Sequence, residues 1–236
     1  MSRPERKAEL AANLERLRER IDGAARDAGR DPADVHLIVV TKTFPASDIA
    51  LLYELGVRDV GENRHPEAGD KASELSDLDI VWHFIGQVQS NKASRIASYA
   101  DVVHSVDSTK LVHRLGTSAH EHGRTVTCLV QVSLDPPEQT EGRAGAELDQ
   151  VAGIADALET TDGVRLGGLM GIAPLGLPPA PAFERLAEVW DAVRRDHPGA
   201  AMLSAGMSDD FPAAIKAGAT HVRVGSAVMG PRPLLR

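Results

Sequence analysis

His36-Leu37-Ile38-Val39-Val40-Thr41-Lys42 is the stretch that decides how this chain is read. Its β-branched and aliphatic residues form a short apolar run of strand length, and it ends in a charge. Alternation along a strand groups Ile38, Val40 and Lys42 on one face. Outward from it the same rhythm repeats: a short apolar run, a polar or glycine-marked turn, then a segment of helical period. Strands are expected over His36 to Thr41, Val57 to Val60, Ile80 to Ile85, Asp101 to Val106, Thr125 to Leu134, Val164 to Leu169, Ala200 to Leu203 and His221 to Val224. Between them helices are expected over Ser47 to Leu55, Asn91 to Tyr99, Thr109 to His122, Ala146 to Leu158, Phe183 to Arg194 and Asp210 to Ala217. Eight alternating units predict a single parallel (β/α)8 TIM barrel, of the α/β class. An extra amphipathic helix precedes it over residues 5 to 28, with Leu10, Leu14, Leu17 and Ile21 on one face.

The chain of 236 residues suits one such barrel, so residues 1–236 are read as a single domain. Hydrophobic residues make up 42% and charged residues 25%, the ordinary globular range, which argues against wholesale disorder. A net charge of −8 argues against a surface that neutralises nucleic-acid phosphates or adheres to anionic lipid. No apolar stretch is long enough to span a membrane, and Arg3, Glu5, Arg6 and Lys7 occupy the place where a leader would be apolar. A cytoplasmic protein is expected, as a monomer. Cys128, the sole cysteine, sits in an apolar run and reads as a buried small hydrophobe. His120 and His122 lack the partners of a metal site, and no metal is expected.

In a barrel of this kind functional groups gather where the strands end. Lys42 follows the first strand directly, and an inward face would put its amine at an apolar mouth, where desolvation favours the neutral nucleophile. The ordinary alternative is an exposed strand-end lysine. After strands seven and eight come Ser204-Ala205-Gly206-Met207-Ser208 and Gly225-Ser226, where glycine admits close backbone approach and serine can donate to an anion. Helix N-capping by Ser208 and Ser226 would explain the serines equally. Arg223 shares the face of Gly225, so it turns into the barrel and demands a partner there, either a core carboxylate or a ligand. Two proline-interrupted stretches, Asp135 to Gly145 and Ala173 to Pro181, follow strands and read as rim loops. An amine, an anion cradle and a guanidinium in one mouth fit a phosphorylated aldehyde, and pyridoxal 5'-phosphate (PLP) is the commonest of these.

Six ordered segments carry a resemblance. They are Val40-Thr41-Lys42-Thr43, Gly61-Glu62-Asn63, Trp82 through Lys92, Leu169 through Pro174, Leu203 through Ser208, and Val222 through Ser226. Together they closely resemble the pyridoxal phosphate homeostasis protein family, which is similar in turn to the N-terminal domain of alanine racemases. The resemblance implies that Lys42 forms a Schiff base with PLP, that Ser204, Gly206, Met207, Ser208, Gly225 and Ser226 cradle the phosphate, that Arg223 faces the pyridine nitrogen, and that Asn63 lies near the ring. It implies a role in PLP storage, buffering or delivery to apo-enzymes, without amino-acid turnover. For His83 and Asn91 the resemblance implies less definite roles, with packing and helix capping as the alternative, and Trp82 reads as core. Arg64 stands where relatives usually have tyrosine, and Ala205 where methionine is frequent; the first should alter the pocket rim and the second only packing.

Two rival functions share these residues. An amino-acid racemase would need a second base, and the only tyrosines, Tyr53 and Tyr99, fall in predicted helices away from the mouth. A lysine Schiff-base aldolase acting on a sugar phosphate would use the same cradle but would be colourless when purified.

Overall fold

The computed structural model describes residues 2–136 and 144–231. Eight strands pair in sequence order, all parallel, and β8 closes on β1. They are β1 (His36–Val40), β2 (Asp59–Glu62), β3 (Val81–Phe84), β4 (Val102–Val106), β5 (Val126–Gln131), β6 (Val164–Met170), β7 (Met202–Ser204) and β8 (His221–Val224). The helices are α1 (Arg3–Asp27), α2 (Ala46–Glu54), α3 (Glu67–Glu74), α4 (Ala93–Ala97), α5 (Thr109–Glu121), α6 (Val151–Thr160), α7 (Ala180–Asp196), α8 (Phe211–Lys216) and α9 (Ser226–Met229). The expected barrel is therefore observed, with its extra first helix.

Helix α1 begins at a capping box between Ser2 and Glu5 and buries Leu10, Leu14, Leu17, Ile21 and Ala25. Burial of each large aliphatic side chain contributes about 1.5 to 3 kcal/mol. Polar ties fix its position: Arg6 pairs with Asp48 of α2 at 2.7 Å, and Asn13 donates to the Val228 carbonyl of α9 at 2.8 Å. The β1 residue Val39 and the β8 residues Val222 and Val224 pack in this outer layer, while Val102, Leu129 and Met170 meet inside the barrel. Cys128 is buried as expected, and burial pushes its thiol pKa up.

Departures from the expected elements have physical causes. Strand β2 runs two residues further than read, because Glu62, a poor strand former, is held there by partners from other elements. Helix α3 was not read, since only Ala68 and Lys71 of it are buried and it has no apolar period. Helix α7 begins at Ala180, inside the second proline-rich stretch, with Pro181 in its first turn, where proline lacks no needed hydrogen-bond donor. The first proline-rich stretch follows β5, but its residues 137–143 lie outside those described.

Candidate functional site

Strand register dictates which groups reach the barrel mouth. A Cβ on Gly61 would meet the side chains of Ile38 and Val40 at 3.2 and 3.3 Å, so those two β1 residues point inward, as alternation requires. Lys42 follows on a turn and is half-buried. At this end of the barrel a cavity of about 290 Å³ is lined by Lys42, Asn63, Met207, Ser208, Arg223, Gly225 and Ser226. Val40, Phe44, Ile85 and Ile172 supply apolar walls. Larger hollows of about 670 and 590 Å³ lie among the outer helices and receive neither Lys42, Ser208 nor Arg223. Of the nine expected site residues, seven therefore line one cavity.

The turn carrying Lys42 is clamped from outside the barrel. Thr43 adopts φ 71°, a left-handed conformation costing a β-branched residue roughly 1 to 3 kcal/mol. Its N–H donates to Glu67 at 2.7 Å. Lys71 donates to Glu67 at 2.6 Å, to Glu62 at 2.7 Å and to the Thr41 carbonyl at 3.2 Å, while the Thr41 hydroxyl donates to Glu62 at 2.6 Å. Burial raises the Glu62 pKa, against the opposing pull of Lys71 and Thr41. Glu62 thus holds Thr41 and Glu67 holds Thr43, one on either side of Lys42, and Glu62 does not line the cavity. Asn63 is set by a close approach: a Cβ on Gly86 would fall 2.0 Å from the Asn63 carbonyl oxygen, so only glycine fits there.

The two serine loops divide the roles expected of them. The hydroxyls of Ser208 and Ser226 lie 3.1 Å apart across the gap between the β7 and β8 loops, both at the cavity. Ser204 and Gly206 do not line it. Ser204 is fully buried in β7, its hydroxyl 2.6 Å from Arg223 and 3.0 Å from His104. Gly206, at φ 89°, is required by packing, because a Cβ there would come within 2.7 Å of Phe211 and Ala214 of α8. Ala205 is buried in the outer core and Arg64 is exposed outside the cavity lining.

Arg223 turns inward from β8, opposite Ile38 of β1. It is almost wholly buried, donating to the Ser204 hydroxyl and, at 3.0 Å, to the Gly171 carbonyl. No described carboxylate forms an ion pair with it. Burial lowers its pKa to about 10, against a small opposing pull from Asp210. It stays protonated at neutral pH, so a cation with no counter-ion among the described residues sits at the cavity floor. An amine, two facing hydroxyls and this guanidinium fit a ligand carrying a carbonyl at one end and a dianion at another.

Residues 8–233 match the family model described as alanine racemase, N-terminal domain. The pyridoxal phosphate homeostasis protein of Corynebacterium glutamicum is 43% identical over 225 residues, covering 92% of this chain and 100% of that protein. PipY of Synechococcus elongatus, whose structure was determined with PLP bound, is 36% identical at a TM-score of 0.80, covering 94% of this chain and 100% of that one. The chain belongs to the pyridoxal phosphate homeostasis protein family. An alanine racemase of Clostridium difficile, 16% identical at a TM-score of 0.68, shares the fold alone; the match spans 57% of its length.

Within this family member, residue reading missed the apolar walls and the support beneath Arg223. Ile85 and Ile172 were findable, each lying one or two residues past a strand end. His83 and His104 carried a weaker signal: both are polar residues at inward positions of short strands. Both are buried and neither lines the cavity. Tyr53 and Tyr99 do not line it either.

Proposed function

We propose that this chain binds PLP at the mouth cavity, with the Lys42 amine bonded to the aldehyde carbon, in the service of PLP storage, buffering or delivery. The observation that carries the reading is the convergence of Lys42, Ser208, Ser226 and an unpaired buried Arg223 cation on one cavity of suitable chemistry. The family's name and the PLP-bound relative support it. Ser208 and Ser226 donate to the phosphate, with Gly225 and Met207 beside them, and Asn63 lies along the ring. Ser204 and Gly206 act one step back, Ser204 by holding Arg223 and Gly206 by letting the loop pass α8.

Bound PLP supplies an electron sink for amino-acid chemistry, and the strength of that sink depends on the ring nitrogen. Arg223 has no acceptor, so it offers the ring nitrogen a hydrogen bond and resists its protonation. A weak sink slows carbanion formation, and neither tyrosine lines the cavity to act as a second base. The chain therefore retains and releases cofactor in the cytoplasm without turning over amino acids, and apo-enzymes that need PLP are its recipients.

Purified protein incubated with PLP should turn yellow, and borohydride should fix the cofactor on Lys42 by peptide mapping. A Lys42→Ala variant should lose the band and the adduct together. Reduction onto another lysine with Lys42 unmodified would overturn the assignment. Racemisation of L-alanine at about 1 to 1000 per second, the usual enzyme range, would overturn the non-enzymatic role.

A further inference from the structure

Below the cavity an unbroken row of hydrogen bonds crosses the barrel interior. Arg223 Nη1 donates to Ser204 Oγ at 2.6 Å; Ser204 Oγ lies 3.0 Å from His104 Nδ1; His104 Nε2 lies 2.9 Å from His83 Nδ1; and His83 Nε2 lies 3.0 Å from Asp59 Oδ1. Five strands, β8, β7, β4, β3 and β2, contribute one member each. Ser204 and His104 are fully shielded from solvent, and His83 nearly so, while Asp59 is partly exposed at the far end.

The partners fix where each hydrogen sits. A guanidinium only donates, so Ser204 Oγ accepts from Arg223. The serine's one hydrogen has His104 Nδ1 as its remaining partner among the described residues, and giving it to that nitrogen leaves no hydrogen of the row unused. Burial keeps His104 neutral by lowering its pKa well below the usual value. Its single hydrogen is then on Nε2 and points at His83 Nδ1, which accepts it. The His83 hydrogen lies on Nε2 and is given to Asp59. Reading from the other end gives the same answer: burial raises the Asp59 pKa, but the hydrogen bond from His83 leads the influences that hold it below its ordinary value, so Asp59 is an acceptor-only carboxylate.

We infer that His104, through Ser204, is a positioning residue for Arg223, and that the row runs in one direction from Arg223 to Asp59. The hydroxyl hydrogen of Ser204 is committed to His104, which leaves an oxygen lone pair aimed at Arg223. This holds the guanidinium in one orientation at the cavity floor. The part of the inference that concerns the cofactor rests on the reading of the cavity as a PLP site; the direction of the row does not.

Two measurements test it. Nitrogen-15 imidazole NMR of the wild-type protein without ligand should show both His83 and His104 as neutral Nε2–H tautomers. An Nδ1–H signal from either ring overturns the direction of the row, whether or not PLP binds. In the second, His104→Asn keeps an acceptor near the place of Nδ1, whereas His104→Phe fills the space and offers none. PLP retention should fall about tenfold in His104→Phe, with a displaced absorbance band, and stay within about threefold of wild type in His104→Asn. Equal retention in the two variants, or better retention with phenylalanine, would assign His104 to packing alone and overturn the positioning role. Failure of the wild type to take up PLP would instead sink the functional reading, and the tautomers would still decide the row.

Discussion

Two buried polar clusters flank the Lys42 turn, and they are built on opposite plans. Outside the barrel, between β1, β2 and α3, Lys71 meets Glu62 and Glu67, and the Thr41 hydroxyl joins them. Cation and carboxylates are in direct contact, so the cluster is closed. Inside the barrel, hydrogen bonds lead from Arg223 through Ser204, His104 and His83 to Asp59, with no described carboxylate in contact with the guanidinium itself. That row is open at the cavity end. A closed cluster answers its own charges and serves the backbone it ties down, whereas an open one leaves a cation for a ligand to meet. On this reading Lys71 is architecture, and Arg223 is the charge we propose for recognition.

The largest expected effect breaks the closed cluster. Lys71→Met leaves the buried Glu62 and the half-buried Glu67 without their cation and should cost about 3 to 5 kcal/mol of stability in urea unfolding at neutral pH. The loss should be nearly the same with and without PLP. A loss under about 1 kcal/mol would mean that the cluster does not hold the turn. Next in size is the open end. Ser208→Ala should weaken PLP by about 1 to 3 kcal/mol while leaving ligand-free stability almost unchanged. Equal affinity for pyridoxal and PLP in the wild type would remove the phosphate cradle.

The closed cluster and the row were unequally legible in the sequence, and so were the elements. Strands such as β1 and β8 announce themselves by β-branched runs, and Lys42, Ser208, Ser226 and Arg223 follow from strand ends and alternation. Helix α3 does not announce itself: its one buried charged residue, Lys71, faces inward only because Glu62 and Glu67 wait for it. Helix α9 is four residues long, with its Val228 and Met229 carbonyls capped by Asn13 and Arg6 from the other end of the chain. Ser204 was read with its loop because sequence cannot say which of two nearby serines ends a three-residue strand. Asp59, His83 and His104 sit on three strands with no spacing that links them; only the barrel's register brings them into line.

Acid should separate the two clusters by the sign of their effect. Burial lowers the pKa of His221 to about 3 and that of His104 well below its ordinary value. Their folded forms stay neutral where the unfolded chain takes up protons, so between about pH 6.5 and the lowered values each histidine makes stability fall as pH falls. Glu62 works in the opposite sense. Its pKa is raised, so the folded state binds the extra proton and stability falls as pH rises through the window above about 4.5. Burial lowers the pKa of His65 as well, so the histidines outnumber the one opposing carboxylate and the unfolded state binds more protons in this window. Urea midpoints measured between pH 6 and 5 should show stability lower at pH 5. A flat profile would mean that the buried histidines are protonated in the folded protein, which is incompatible with the row as drawn.

The smallest expected change is the sharpest test of the difference between the clusters. Arg223→Leu removes a buried cation that no described carboxylate touches, together with the desolvation cost of keeping it there. Against that gain stand two lost hydrogen bonds, to Ser204 and to the Gly171 carbonyl, each worth about 1 kcal/mol net. The two terms oppose each other, so ligand-free stability should stay within about 1 kcal/mol of wild type. Retention of PLP should fall, because the cation at the cavity floor is gone. Destabilisation as large as that of Lys71→Met would mean that Arg223 is architecture too, and the contrast between a closed and an open cluster would fail. Unchanged stability with unchanged PLP retention would leave the barrel fold intact but take Arg223 out of the cofactor site.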